Sequence, residues 1–153
     1  MHESEHAFVE CATFADDYKY NGEGWQGDFH FKIQPYIAEG EESDYDIDDN
    51  YRNLTYALGD FAPWLSGKGT EDYKNNYMYA FLMDKFGNDE DVAKSYALRL
   101  VVHYIGDLVQ PFHNENRYTS VYSEGDNGAN KVPLPYHYEV DELHALWDKV
   151  LYD

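Results

Sequence analysis

Histidine and aspartate recur in this chain at a spacing that suits metal coordination. The stretch His103-Tyr104-Ile105-Gly106-Asp107-Leu108-Val109-Gln110-Pro111-Phe112-His113 holds two imidazoles and a carboxylate within three helical turns of chain. His103 and Asp107 stand at i,i+4, so on a helix they share one face, one turn apart. Near the end, Leu143-His144-Ala145-Leu146-Trp147-Asp148 repeats the pair among apolar neighbours. Imidazole nitrogen and carboxylate oxygen are ordinary zinc ligands, and two helices with such faces can supply most of a multi-metal site. Three plainer arrangements use the same residues. A core histidine can be a hydrogen-bonded structural group, a His–Asp pair can be a helix ion pair, and His113 can sit in a solvated loop. Spacing alone leaves these open.

The elements that would position these groups are helices. Asn88-Asp89-Glu90-Asp91 offers a cap and an acidic first turn, so a helix starts near Asn88. Val92, Tyr96 and Leu100 make one stripe at helical spacing, and His103 and Asp107 fall within it. Leu98 and Val102 cover the opposite side, which predicts a central helix, apolar nearly all round. A carboxylate on its buried face is costly unless it is paired or binds a metal. Pro111 ends the helix and delivers His113 just beyond it. Upstream, residues 4–20 read as a helix with Phe8, Val9, Ala12 and Ala15 inward, followed by a turn at Asn21-Gly22-Glu23-Gly24. Residues 51–65 read as a helix on Tyr51, Leu54, Leu58, Phe61 and Leu65, stopped by Gly67-Lys68-Gly69. Another, over 70–86, is expected to bury Tyr73, Tyr77, Ala80 and Phe81. A long loop, 114–136, contains the turn Gly125-Asp126-Asn127-Gly128.

Composition bounds the function. The chain of 153 residues is one domain's worth, and 43% hydrophobic content can build a core. A net charge of −19 argues against a nucleic-acid binder of the basic-patch kind, because such proteins gain affinity by neutralising phosphates. It leaves room for a phosphodiesterase whose positive charge is local and supplied by metal. A single cysteine, Cys11, excludes an intrachain disulfide and a cysteine zinc site. No stretch approaches a transmembrane span, and Met1-His2-Glu3-Ser4-Glu5 does not begin a signal peptide. Asp44, Asp46 and Asp48 fit a calcium loop poorly, with Asp49 at the sixth position and Thr55 at the twelfth; a solvated acidic loop over 39–50 is the better reading. Asn53-Leu54-Thr55 is a glycosylation sequon if the chain is secreted.

The chain resembles the zinc-dependent single-strand-specific nucleases of the S-one and P-one type, relatives of the bacterial zinc-dependent phospholipases C. The family motif His-Phe-x-Gly-Asp-x-x-Gln-Pro-Leu-His stands here as HYIGDLVQPFH, residues 103–113. The family's Gly-Gly-Asn loop is matched by Asn127-Gly128-Ala129-Asn130-Lys131, and its Asn-Leu-His-x-x-Trp-Asp by Glu142-Leu143-His144-Ala145-Leu146-Trp147-Asp148. Its Trp-Ala-Asp and Trp-His-Phe blocks are matched by Phe14-Ala15-Asp16 and Phe29-His30-Phe31. The four blocks run in order across about 13–148. The resemblance implies an all-α, multi-helix fold with long loops in one partial nuclease domain, residues 1–153. It implies Asp16, His30, His103 and Asp107 on a first zinc, and His113, His144 and Asp148 on a second. A third zinc would share Asp107 but lacks the family's N-terminal Trp and His, because His2 and His6 lie too close to Asp16 to match them. The chain therefore reads as lacking the family's N-terminal helix, and it stops soon after Asp148.

By the same resemblance Asp16 also assists the attacking water, Lys19 stands where the family often has Arg, and Asn130 contacts the scissile region. Phe31 matches a base-stacking position, although core packing suits it equally well. Ile33 replaces an Asp that contacts the base, and Ala129 replaces a Gly, tolerable unless the backbone there needs a positive φ. Asp17 and His137 read as surface or structural groups. The expected function is zinc-dependent hydrolysis of phosphodiesters in single-stranded DNA or RNA, with 3′-nucleotidase activity as an option. A phospholipase C-like hydrolase and a truncated, non-catalytic zinc-binding fragment are the alternatives. The expected setting is secreted or an acidic vacuolar compartment, with a monomeric chain.

Overall fold

The structure is a computed structural model that describes residues 6–41, 52–68, 71–137 and 139–149. It is mostly helical: α1 Ala7–Glu10, α2 Phe14–Tyr20, α3 Leu54–Ser66, α4 Tyr77–Lys85, α5 Glu90–Val109 and α6 Leu143–Lys149. Tight 3-10 turns cover Gly24–His30, Glu71–Asn75 and Pro111–His113. Short strands β1 Gln34–Ile37 and β2 Glu115–Tyr118 pair in parallel, Gln34 opposite Glu115. β3 Pro133–His137 and β4 Val140–Glu142 pair antiparallel. The all-α expectation holds; β2 and most of β3 lie in the stretch 114–136 read as loop, and β1 and β4 in stretches given no reading. The chain divides into two compact units, Met1–His30 with Tyr51–Asp107, and Phe31–Asn50 with Leu108–Asp153. The acidic stretch 42–50 and Tyr51 lie outside the described residues.

The first unit is built on α5. Its buried face is Ala93, Ala97, Leu100, His103, Tyr104 and Asp107. This face is rotated from the expected stripe: Val92 is 46% exposed and Leu98 is 55% exposed, while alanines take the contact positions. The helix starts at Glu90, within the expected cap stretch, with Asp89 rather than Asn88 as its cap. Gly87, at φ 60°, and Asn88, at φ 64°, close α4 instead, with Asn88 N–H bonded to the Met83 carbonyl and Gly87 N–H to that of Asp84. That is a Schellman stop. Asp89 is the cap of α5, its carboxylate accepting from Val92 N–H.

α3 meets this core through Leu54, Ala57, Phe61 and Trp64, spaced three, four and three residues apart. The expected Leu58 and Leu65 are only half-buried. Pro63 lies inside the helix, which ends at Gly67 in the left-handed region. In α4 the buried residues are Met78 and Leu82, not the expected Tyr73, Tyr77, Ala80 and Phe81. Asp60 on α3 caps α4 by accepting from Met78 N–H at 3.1 Å. Burial pushes the Asp60 carboxyl up, and the backbone N–H bonds of Met78 and Tyr77 only partly offset that.

The expected helix over 4–20 is broken. Cys11–Thr13 separates α1 from α2, and Phe8 and Val9 are 75% and 67% exposed rather than inward. Phe14 and Ala15 carry the contact of α2 with the core instead. The Asn53 carboxamide oxygen of the sequon caps α3, accepting from Tyr56 N–H at 3.2 Å. Asn53→Ala is expected to lower stability by about 1 kcal/mol, read by urea denaturation.

Candidate metal centres

The first donor group lies within the first unit. α5 presents His103 and Asp107 from its buried face. α2 contributes Asp16, and the 3-10 turn Gly24–His30 contributes His30, which is 1% exposed. That turn is fixed by apolar anchors: Phe29 is buried, and Trp25 packs on Phe81 with centroids 4.5 Å apart. The Trp25 indole N–H donates to Glu23, which also pairs with Lys85 at 2.8 Å.

The donor atoms converge. Asp107 Oδ2 is 2.9 Å from His30 Nδ1 and 3.1 Å from His103 Nε2, and the two imidazole nitrogens are 3.1 Å apart. Asp16 places its oxygens 3.6 Å from His30 Nδ1 and 3.7 Å from His103 Nε2. Ligands at the usual distances on one tetrahedral zinc stand roughly 3.3 Å apart, so the spacing suits such an ion.

The hydrogen bonding points the same way. His103 Nδ1 donates to the Ala12 carbonyl, an acceptor only, which leaves the Nε2 lone pair facing two carboxylates. Such an arrangement calls for a cation, either a proton or a metal. Burial pushes His103 down, but the hydrogen bond and charge of Asp107, the Ala12 carbonyl and Asp16 outweigh it, and the net shift is upward. The break between α1 and α2 thus has a use: Ala12 lies in it and turns its carbonyl to His103.

The second group lies within the second unit. His113 ends the 3-10 turn Pro111–His113, and His144 and Asp148 stand one turn apart on α6. Asp148 Oδ2 is 3.4 Å from His144 Nε2, and Oδ1 is 3.8 Å from His113 Nε2. His144 Nδ1 donates to the Gly128 carbonyl at 2.7 Å, again reserving Nε2 for a ligand role. Phe31, His113 and His144 form a stack, with centroids 4.7 Å apart for Phe31–His113 and 4.9 Å for His113–His144. In both groups one ligand atom from each of three residues falls within 4.8 Å of the others: Asp16, His30 and His103, and His113, His144 and Asp148.

Other expected site residues are placed as follows. Lys19 Nζ is 4.0 Å from Asp16 on the same helix. Asn130 donates to the Asn127 carbonyl at 2.8 Å, a bond within its own loop. Phe31 lays its ring on His113. Ile33 is 38% exposed, and Asp17 is exposed and bonded by Thr13. Ala129 has φ 65°, so the backbone does need the left-handed region there, and Ala accepts a strain that Gly would not.

Gln110 was not singled out from sequence, although it lies within the motif. Its Nε2 donates to Asp148 Oδ1 at 2.8 Å, while its oxygen accepts from Phe112 N–H. One side chain thus ties a donor carboxylate to the turn that carries His113. Gln110→Ala is expected to weaken metal binding at this group about 10–100-fold, the usual effect of losing an outer partner. Competition with a chromophoric chelator would read it.

Helices bearing two such donor groups define the class: a mostly helical chain built around side chains that can hold divalent metal. Comparison with known proteins is more specific. The pattern of the S1/P1 nuclease family matches residues 1–153, and the chain belongs to that family. It is similar to Nuclease S1 of Aspergillus oryzae, 30% identical over 139 residues, which is 90% of this chain and 39% of that protein. Nuclease P1 of Penicillium citrinum is 29% identical over 141 residues, 90% of this chain and 42% of that one. Endonuclease 3 of Arabidopsis thaliana is 27% identical over 103 residues, 54% of this chain and 33% of that one. The chain thus spans about two-fifths or less of the length of these curated relatives. No solved structure matches it. Among the described residues no helix is long and apolar enough to cross a membrane.

Proposed function

We propose that this chain hydrolyses phosphodiester bonds of single-stranded nucleic acid with zinc as its cofactor. The observation that carries the reading is the pair of donor groups, both on motif positions of a nuclease family. In it, Asp16, His30, His103 and Asp107 hold one zinc, and His113, His144 and Asp148 hold another. Bound zinc would lower the pKa of a water and neutralise charge on phosphate oxygens.

The remaining roles fall to the chain itself. Asp16, whose side chain is half exposed, is the carboxylate open to solvent in the first group and is suited to accept a proton from an attacking water. Lys19, one turn along α2, offers a point charge to a phosphate. The Asn130 carboxamide, anchored by one N–H on the Asn127 carbonyl, keeps its second N–H and its oxygen for substrate. Phe31 orients His113 with one ring face, and its half-buried position leaves part of the ring for a base. The relatives, nucleases and an endonuclease, favour nucleic acid over lipid as substrate. A secreted or acidic-compartment setting goes with this reading.

The test compares hydrolysis of a single-stranded oligonucleotide, its duplex and short-chain phosphatidylcholine, each with zinc and with a chelator. Cleavage of the single strand alone, abolished by the chelator, is the expected result. Lipid cleavage alone would move the chain to phospholipase C chemistry. Bound zinc with neither activity would leave a zinc-binding, non-catalytic piece of a nuclease.

A further inference from the structure

The loop over 125–130 has an unusual conformation and is held by buried polar side chains. Asn127, Gly128 and Ala129 are consecutive residues with φ of 57°, 58° and 65°. Two of the three carry a Cβ, so the segment does not hold this shape unaided. What holds it is Asn116, on β2, which is 7% exposed. Its Oδ1 accepts from Asn127 N–H at 2.8 Å and from Gly128 N–H at 3.4 Å. Its Nδ2 donates to the Tyr118 hydroxyl at 3.3 Å, which fixes the carboxamide so that oxygen faces the loop.

Asp126, 5% exposed, ties the loop from its other side by accepting from Arg117 N–H at 3.0 Å and Ala129 N–H at 3.2 Å. The fit is close. A Cβ on Gly125 would lie 2.2 Å from Asn116 Nδ2, and one on Gly128 would lie 2.3 Å from the Phe112 carbonyl oxygen. The product of this arrangement is one backbone group, the Gly128 carbonyl, aimed at His144 Nδ1 at 2.7 Å.

We propose that Asn116 is a positioning residue for His144: by clamping the Asn127–Ala129 turn it aims the Gly128 carbonyl, which keeps the imidazole proton on Nδ1 and the Nε2 lone pair available to metal. The proposal rests on the reading of His144 as a ligand. A carbonyl can only accept, so this bond requires Nδ1–H. Without it the ring is free to carry its proton on Nε2, where it blocks coordination. Asn116 works through the loop: its hydrogen bonds go to Asn127, Gly128 and Tyr118.

The test reads the tautomer directly, by long-range proton–nitrogen correlation of the imidazoles in the metal-free protein. Wild type is expected to show His144 as Nδ1–H. Asn116→Ala, which removes the acceptor, is expected to move His144 toward Nε2–H and to weaken zinc binding at this group about 10–100-fold. Asn116→Asp, which keeps an oxygen in place, is expected to retain the Nδ1–H form. His103, held by the Ala12 carbonyl, serves as an unchanged internal reference.

An Nε2–H tautomer in wild type overturns the proposal. So does a folded Asn116→Ala chain with tautomer and zinc affinity unchanged. Should Asn116→Ala lose its fold, Asn116→Ser, too short to reach both N–H groups, and the wild-type tautomer carry the same decision. The tautomer is measured without metal or substrate, so a chain inactive on nucleic acid leaves the result standing. Conversely, the expected tautomers in a chain that takes up no zinc would sink the nuclease reading alone.

Discussion

His103→Ala and His144→Ala are each expected to remove one zinc, taking the chain from the proposed two bound ions to about one after dialysis. Under the proposed function, either change is expected to lower hydrolysis of a single-stranded oligonucleotide by at least about 100-fold, because a lost ligand costs more than the lost outer partner that sets this scale. The first group should respond more sharply to His103→Ala than its count of donors suggests. His103 Nε2 stands within 3.7 Å of Asp16, His30 and Asp107 alike. Without it, Asp107 and His30 remain as a hydrogen-bonded pair at 2.9 Å, which competes with metal instead of serving it. In the second group the loss of His144 leaves Asp148 tied to Gln110 and His113 stacked on Phe31, both satisfied without an ion. Elemental mass spectrometry on purified chains settles the count. Zinc that persists in both variants would assign the ions elsewhere. Zinc near zero in wild type would remove the enzymatic reading altogether.

The donor groups were legible in sequence for a physical reason. A ligand pair at i,i+4 on an apolar helix leaves a periodic mark, and both His103/Asp107 and His144/Asp148 do so. Asp16 and His30 leave none, since one comes from a short helix and the other from a 3-10 turn; only the family motifs pointed to them. The backbone acceptors are invisible for a different reason. Ala12 and Gly128 act through carbonyls, which every residue has, and what singles them out is a broken helix and a left-handed turn. The helices expected over 51–65 and from Asn88 were placed to within a few residues, whereas the one over 70–86 begins only at Tyr77 after a 3-10 turn and the one over 4–20 is broken in two; inward faces were misjudged where large residues drew attention. On α5 the contacts are made by Ala93 and Ala97, and on α4 by Met78 and Leu82 beside bulkier tyrosines. Tertiary packing decides which face turns inward, and hydrophobic size alone does not report that. Phe8 and Val9 fail in the same way: the periodicity counted them, but the chain turns at Cys11–Thr13 before they can reach the core.

Trp64→Ala is expected to destabilise the first unit by about 3–5 kcal/mol in the presence of a chelator. Trp64 is 1% exposed, packs edge-on against Tyr79 at 5.0 Å, and donates its indole N–H to Glu90 at the start of α5 at 3.3 Å. A loss of that size is a large share of the roughly 5–15 kcal/mol that holds a typical domain together. The same apolar cluster contains Leu100 and Tyr104, which flank His103 on α5, so the core and the first donor group stand or fall together. An ion that binds only the folded group adds about 2.7 kcal/mol at a hundredfold excess over its dissociation constant and about 4.1 kcal/mol at a thousandfold excess. Zinc should therefore return most of what Trp64→Ala takes away, and unfolding free energies with zinc and with chelator should differ by an amount comparable to that packing loss. Adding His103→Ala to the Trp64→Ala chain should abolish most of that recovery. If zinc rescues the double variant as well as the single one, the stabilising ion does not sit among Asp16, His30, His103 and Asp107. The apolar core would then be independent of the first donor group.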